Sequence, residues 1–158
     1  MKAVQVSRGA SSVHQLYIHL VFVTKQRKRL IHPAMEMKLR EVFAEVCDEL
    51  ECKLLSCNAD GDELEEKEGS DGNHVHVMIR FPPKLAIATL VNRLKGKSAY
   101  VINRLNQVSE GGRRNSDMTS GALWTPSYFV KTVGYETIEK TAKYLWNQRR
   151  AAEQAKGL

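Results

Sequence analysis

The segment "HVHVMIRF", residues 74–81, constrains the fold more than any other stretch of this chain. Side chains along a β-strand point alternately to the two faces of a sheet. One face of this strand is wholly apolar and consists of Val75, Val77, Ile79 and Phe81. The other face begins with two histidines, His74 and His76. The apolar face predicts a sheet with a core on one side only, and the histidines are not needed for that core.

Three further strands and three helices are predicted from hydrophobic periodicity. The strands are placed at 16–24, 52–59 and 128–133, and the helices at 33–50, 85–105 and 136–150. The resulting order β-α-β-β-α-β, followed by a last helix, predicts an α+β fold. We expect a ferredoxin-like (RRM-like) split βαβ sandwich, with an antiparallel sheet and helices on one of its faces. The core stripe predicted for the 85–105 helix is Ile87, Leu90, Leu94, Val101 and Leu105.

A length of 158 residues without internal repeats predicts a single domain over 1–158, with its core at about 14–150. Residues 60–72 are predicted to be an acidic loop and residues 109–121 a flexible polar loop. No apolar run is long enough to cross a membrane and no signal peptide is visible, so a cytoplasmic protein is expected. Cys47, Cys52 and Cys57 lack metal-binding spacing and are predicted to be reduced, partly buried thiols.

The net charge of +6 understates how basic most of the chain is, because acidic residues are concentrated in one segment. Residues 60–72 contain seven of the 18 acidic residues and a single lysine, Lys67. The rest of the chain has 23 basic and 11 acidic residues, a net charge of +12. A protein this basic commonly binds a polyanion, and nucleic acid is the first candidate. A basic protein without such a partner remains the alternative.

Two pairs of residues are candidates for a chemical role beyond packing. His74 and His76 project side by side and can provide two nitrogen ligands for one metal ion, although exposed histidine pairs also occur without a metal. In the predicted last helix, Tyr144 and Gln148 are four residues apart and therefore share one face. A tyrosine on the polar side of a helix is either a functional group or an amphipathic residue at the rim of the core.

Five segments in this order resemble one family, the TnpA single-strand DNA transposases of insertion sequences. These enzymes belong to the HUH (His-hydrophobic-His) single-tyrosine endonucleases and have REP-associated tyrosine transposases among their relatives. The segments are "YIHLVFVTKQRK" (17–28), "HVHVMIRFPP" (74–83), "LKGKSA" (94–99), "LWTPSYFVKTVG" (123–134) and "YLWNQ" (144–148). The resemblance covers most of the chain, from about Tyr17 to Gln148. The family often has an aspartate directly before the first histidine, where this chain has Asn73.

The resemblance implies a metal-dependent enzyme that cleaves and rejoins single-stranded DNA. His74, His76 and Gln148 would bind one Mg²⁺ or Mn²⁺ ion. Tyr144 would attack a DNA phosphate, leaving a 5′-phosphotyrosine on the enzyme and a free 3′-hydroxyl. The family recognises hairpins near the ends of its elements and forms homodimers in which the tyrosine helix can complete the partner's site in trans. It would associate with the nucleoid while active.

Basic side chains in two places are candidates for DNA contact. Arg93, Lys97, Tyr100 and Arg104 form a stripe opposite the apolar stripe of the 85–105 helix, and Lys25, Arg27, Lys28 and Arg29 follow the first strand. Basic groups with an aromatic among them suit phosphate contact and base stacking, although a solvated helix face looks the same. His19, in the middle of the first strand, is expected to be structural.

Two other functions remain open on the sequence. A non-catalytic module that binds single-stranded nucleic acid could share the sheet and the basic surface, but it needs neither a nucleophile nor a metal. A domesticated, REP-associated relative of the transposases would look similar in sequence. A nucleotide hydrolase of the histidine-triad kind is disfavoured, because Met78 stands where the next alternate histidine would be.

Overall fold

A computed structural model describes residues 6–60, 71–109 and 122–134 of the chain. A short hairpin, β1 (Ser7–Arg8) and β2 (Val13–His14), precedes the main sheet. The chain then runs through β3 (Tyr17–Val23), α1 (Pro33–Glu49), β4 (Lys53–Asp60), β5 (His74–Arg80), α2 (Ile87–Ser109) and β6 (Phe129–Thr132). The predicted order β-α-β-β-α-β is confirmed, and the N-terminal hairpin is an addition to it. The helix predicted at 136–150 lies outside the described residues.

The main sheet has four strands in the order β4-β5-β3-β6, and every neighbouring pair is antiparallel. The histidine strand β5 is therefore central, flanked by β4 and β3. Its register places Val21 of β3 opposite His76 and Val23 opposite His74. On the other side, Asn58 of β4 lies opposite His76 and Asp60 opposite His74. Sequence analysis assigned Asp60 to the acidic loop, whereas it is the last residue of a strand.

One face of the sheet forms the core, as the alternation in β5 predicts. Its fully buried side chains are Ile18, Leu20, Phe22, Val75, Val77 and Ile79. Leu39 and Phe43 of α1 and Leu90 and Leu94 of α2 belong to the same cluster, so both helices cover this face. Each such side chain contributes about 1.5–3 kcal/mol when it is fully buried. The histidine face of the sheet is thus left on the side away from the helices.

Helix α1 begins where the sequence predicts. Pro33 occupies the first turn, where its missing N–H costs no hydrogen bond. His32 is the N-cap, and its Nδ1 accepts a hydrogen bond from the Met35 backbone N–H at 3.2 Å. The ring thereby satisfies one of the N–H groups that a helix start leaves unpaired.

The buried stripe of α2 differs from the predicted one. Leu90 and Leu94 are fully buried, but Leu105 is 44% exposed and Val101 is only half-buried. The buried positions continue instead to Ser98 and Ile102, each four residues after the last. A serine in the core was not expected, but its Oγ accepts a hydrogen bond from Trp124 Nε1 at 2.9 Å. The hydroxyl also donates to the Lys95 backbone oxygen at 3.1 Å, so it is satisfied as donor and acceptor, and the stripe follows the i, i+4 row.

None of the helices within the described residues is both long enough and apolar enough to cross a membrane.

Candidate metal centre

The two histidines of β5 lie on the face of the sheet away from the helices. Both side chains are half-buried, and their ring centroids are 5.0 Å apart, with the planes inclined at 72°. Neighbouring strands bound them on both sides, because β5 is central in the sheet. The pair is therefore held by backbone pairing and does not sit on a loop.

Asp60 brings a carboxylate to the pair. The ligand atoms that Asp60, His74 and His76 offer all lie within 4.8 Å of one another. Among the described residues, these three form a cluster whose ligand atoms are close enough together to hold one metal ion. Two imidazole nitrogens and a carboxylate oxygen form a mixed donor set that suits divalent cations of intermediate hardness. Of the two ions that the sequence resemblance implies, Mn²⁺ therefore fits these residues better than Mg²⁺, which prefers oxygen ligands.

Asn73 determines which nitrogen of His74 is available. The Asn73 side-chain oxygen lies 2.7 Å from His74 Nδ1, and an amide oxygen can only accept, so Nδ1 carries the proton. The lone pair of His74 is then on Nε2. Asn73 is itself held, because its backbone oxygen accepts from the backbone N–H of Thr24 at 2.9 Å. The Thr24 hydroxyl shares its one proton between this oxygen at 3.0 Å and the Lys28 carbonyl at 2.6 Å. The amide thus supplies the oxygen acceptor at the position where the family often has aspartate.

His19 makes the corresponding contact with the other histidine. Its Nε2 lies 3.0 Å from His76 Nδ1, and the two rings meet edge to edge, with centroids 5.1 Å apart and planes inclined at 24°. Because that contact occupies Nδ1 of His76, Nε2 is the nitrogen left for a ligand. The Phe129 ring closes the other side of His19, edge-on at 6.5 Å.

Burial favours the neutral forms of these imidazoles. The pKa of His76 is lowered by burial first, and then by the neighbouring His74 and His19. The pKa of His19 is lowered by burial and by the Lys131 ammonium. A neutral imidazole is the form that binds a metal, because protonation removes the lone pair.

The basic cluster after β3 lies at the His74 end of the sheet. Val23, at the end of β3, pairs with His74, and the Thr24 hydroxyl holds the Lys28 carbonyl at 2.6 Å. The backbone turns there through two left-handed residues, Gln26 (φ 58°) and Arg27 (φ 51°). This turn keeps the segment that carries the predicted DNA-contact residues Arg27, Lys28 and Arg29 beside the histidine strand.

The predicted stripe on α2 lies elsewhere. Arg93 forms an ion pair with Glu49 of α1, and Lys97 Nζ lies 2.8 Å from Glu49 and 3.2 Å from Glu45. Tyr100 and Arg104 contact each other, with a hydrogen bond of 2.8 Å. These four residues are on the helix side of the sheet, so the fold does not bring them to the histidine face. Tyr144 and Gln148 lie outside the described residues.

Sequence analysis missed three residues of this site: Asp60, Asn73 as a hydrogen-bond partner, and His19 as a contact of His76. The sequence contains a weak indication for two of them, Asp60 and His19. Asn58 and Asp60 alternate with buried or half-buried Cys57 and Ala59, and His19 is out of phase with Ile18 and Leu20. Both patterns indicate the face away from the core, but neither indicates which strand lies beside β5.

Most of the chain is similar in sequence to known transposases. A family model described as "Transposase IS200 like" matches residues 12–148. The ISDra2 transposase TnpA of Deinococcus radiodurans is 25% identical over 145 residues, 91% of this chain and 91% of the relative. The transposase for insertion sequence element IS200 of Salmonella typhimurium is 22% identical over 130 residues, 82% of this chain and 74% of the relative.

The fold also has a solved counterpart. The crystal structure of a candidate transposase from Deinococcus radiodurans superposes with a TM-score of 0.64 at 23% identity. The similarity covers 90% of this chain and 97% of that one. At this level of identity the likeness concerns the fold.

Proposed function

The chain belongs to the IS200-like transposase family, and from that premise we propose that it cleaves and rejoins single-stranded DNA through a metal site and a tyrosine nucleophile. The observation that carries the proposal is the cluster of Asp60, His74 and His76, in which Nε2 of each histidine is left available. The metal site is assigned to these three side chains. Gln148 is a further ligand in this proposal, on the strength of the sequence resemblance.

A bound Mg²⁺ or Mn²⁺ would polarise the scissile phosphate and orient it. The protein's part is to hold two imidazoles and a carboxylate on adjacent strands, so that the backbone of these three residues is already in place when DNA arrives. Asn73, itself held by Thr24, orients the ring of His74.

Tyr144 is the proposed nucleophile. Its hydroxyl oxygen forms a bond to the phosphorus, and the bond from phosphorus to the 3′-oxygen of the DNA breaks. The tyrosine proton is lost and the departing 3′-oxygen gains one, so the step is balanced without a co-substrate. Rejoining is the reverse reaction with another 3′-hydroxyl, and the phosphodiester energy is kept in the phosphotyrosine. A phenol with a free pKa of about 10 is a weak nucleophile, which is why the metal is needed.

The proposed partner is single-stranded DNA with hairpins near the cleavage sites. Arg27, Lys28 and Arg29 are assigned to its phosphates, because their segment adjoins the His74 end of the sheet. A homodimer in which the tyrosine helix acts on the partner's site is part of the proposal by resemblance. Mg²⁺ or Mn²⁺ is the proposed cofactor.

The decisive experiment is capture of the covalent intermediate. Incubation with Mn²⁺ and a cognate single strand, taken from the flanks of the gene, should give a denaturant-resistant adduct in which the fragment downstream of the break is joined to the enzyme through its 5′-phosphate. Tyr144→Phe should bind the strand and form no adduct. Tyr128→Phe is the matched control, because Tyr128 is an exposed tyrosine outside the proposed site, and it should form the adduct as the wild type does.

Two further arms separate the alternatives. A chelator, or the double variant His74→Ala, His76→Ala, should abolish the adduct while hairpin binding persists. Mixing that double variant with Tyr144→Phe should restore some cleavage if the site is shared between subunits. Wild-type cleavage by Tyr144→Phe would refute the tyrosine mechanism. Hairpin binding by the wild type without any cleavage would favour the non-catalytic binding module or a domesticated relative.

A further inference from the structure

His19 is predicted from the sequence to be structural, but it lies on the face of the sheet that carries the candidate metal centre. It lies in the middle of β3 between the fully buried Ile18 and Leu20, and it points away from the core that they form. Its ring meets that of His76 edge to edge and makes a T-shaped contact with Phe129. It is not one of the three residues whose ligand atoms cluster, so it reaches the metal site only through His76.

The positions of the ring N–H protons determine what the contact between His19 and His76 does. A neutral imidazole has one N–H and one lone pair. If Nε2 of His76 offers its lone pair to a cation, the proton of His76 is on Nδ1. That proton points at His19 Nε2, 3.0 Å away, which must then act as acceptor, so the proton of His19 is on its own Nδ1. Histidine ligands generally donate their second N–H to such a partner, which fixes both tautomer and ring orientation.

We infer that His19 is a positioning residue: it accepts the Nδ1 proton of His76 and holds that ring with Nε2 turned towards Asp60 and His74. The inference rests on the proposed metal site and adds to it a second support. His74 is oriented by the amide of Asn73, next to it in sequence, whereas His76 is oriented by a ring from a different strand. The two ligands are thus held independently, and losing one support leaves the other in place.

The geometry also separates this role from packing alone. Phenylalanine keeps an aromatic ring between His76 and Phe129, but it offers no acceptor. Glutamine has no ring, but its side-chain oxygen lies about as far from the backbone as the histidine Nε2 and accepts a hydrogen bond. A packing role therefore favours His19→Phe over His19→Gln, and a positioning role favours the reverse. His14→Phe is the matched control, because His14 is a histidine of the N-terminal hairpin whose Nδ1 contacts Ser12.

The first measurement is Mn²⁺ affinity without DNA, by electron paramagnetic resonance. His19→Phe should bind Mn²⁺ about tenfold more weakly than the wild type or worse. His19→Gln should stay within about threefold, which is the rescue that an acceptor provides. His14→Phe should match the wild type. An affinity for His19→Phe equal to that of the wild type would overturn the inference.

The second measurement needs no metal and no activity. Two-bond ¹⁵N–¹H correlation spectra of the metal-free protein should show His76 as the Nδ1–H tautomer in the wild type and as a mixture in His19→Phe. A wild-type His76 found as the Nε2–H tautomer would overturn the inference even if no variant folded. If the wild type binds no Mn²⁺, the proposed metal site fails, while the tautomer comparison still decides whether His19 orients His76.

Discussion

Asp60 lies directly opposite His74 in the antiparallel pairing of β4 with β5, and their ligand atoms are within 4.8 Å of each other. The carboxylate of the candidate metal centre therefore comes from the strand beside the histidines. The backbone of Asp60 is fixed by the same hydrogen-bonded ladder as that of the histidines, and its side chain is exposed. A ligand set built on two adjacent strands changes geometry little when a metal enters, which favours binding.

Removing the charge of Asp60 should weaken metal binding. Asp60→Asn keeps the size of the side chain but takes away the negative charge that faces the cation, and we expect Mn²⁺ affinity to fall about tenfold. Asp48→Asn, which changes an exposed acid of α1, should have no effect. Titration with Mn²⁺ measures both. Equal affinities of Asp60→Asn and the wild type would exclude Asp60 from the site.

Gly72 keeps the strand end of Asp60 in place by having no side chain. A Cβ at this position would lie 2.8 Å from the Asp60 backbone oxygen and 3.1 Å from its nitrogen, both too close. Gly72→Ala should therefore cost about 1–3 kcal/mol of stability and should also weaken Mn²⁺ binding. Urea unfolding and metal titration would measure the two effects, and a variant with wild-type values in both would contradict the close packing.

Gly96 provides the opposite case for the same substitution. It lies inside α2, and a Cβ there would meet nothing within 4 Å. Because alanine loses less backbone entropy than glycine on entering a helix, Gly96→Ala should raise stability by about 0.5–1 kcal/mol. Loss of stability in urea unfolding would show that this face of α2 is covered.

Salt dependence should distinguish the two basic surfaces. The double variant Lys28→Ala, Arg29→Ala should weaken binding to a hairpin-bearing strand and flatten its log–log salt slope by about one for each phosphate that it no longer neutralises. Lys97→Ala should change the slope little, because Lys97 binds Glu45 and Glu49 on the helix side of the sheet. Fluorescence anisotropy at several salt concentrations measures both. A flattened slope for Lys97→Ala alone would place the DNA on the helices.

Lys95 should stabilise the segment that precedes β6. Its Nζ donates to the backbone oxygens of Thr125 and Ser127, each at 2.7 Å. Lys95→Met removes these charge-assisted bonds and should cost about 1–3 kcal/mol in urea unfolding. Lys84→Met removes a largely exposed lysine paired with Glu51 and should stay within about 0.5 kcal/mol of the wild type. Equal losses in the two variants would deny Lys95 this role.

The thiols should be inert in the native protein. All three are free and buried, whereas the sequence predicted partly buried thiols. Burial raises the pKa of Cys47 and Cys57 to about 12 and that of Cys52 to about 11. A raised pKa leaves less thiolate, so at pH 8 a thiol-specific reagent should react about 100- to 1000-fold more slowly than with the unfolded chain. Fast labelling of any one thiol at pH 8 would show that its segment opens.

The sequence by itself determined the features that depend on local periodicity. Alternation along β5 placed Val75 and Val77 in the core and the two histidines on the other face, because a strand's side chains have a period of two whatever lies beside it. In the same way, Pro33 and the spacing of Leu39 and Phe43 determined where α1 begins and which side it buries. The roles of Tyr144 and Gln148 stay predictions.

Only the tertiary structure decided which residues surround the histidines. Asp60 and His19 are 14 and 57 positions from the histidines they approach, and both are brought there by the register of β4 and β3 against β5. Register depends on packing across the whole sheet, and a slip of one residue would turn Asp60 to the opposite face. The burial of Ser98 likewise depends on Trp124, which arrives from a distant segment. The periodicity of each segment depends on its own sequence, whereas the proximity of two strands arises only when the core forms.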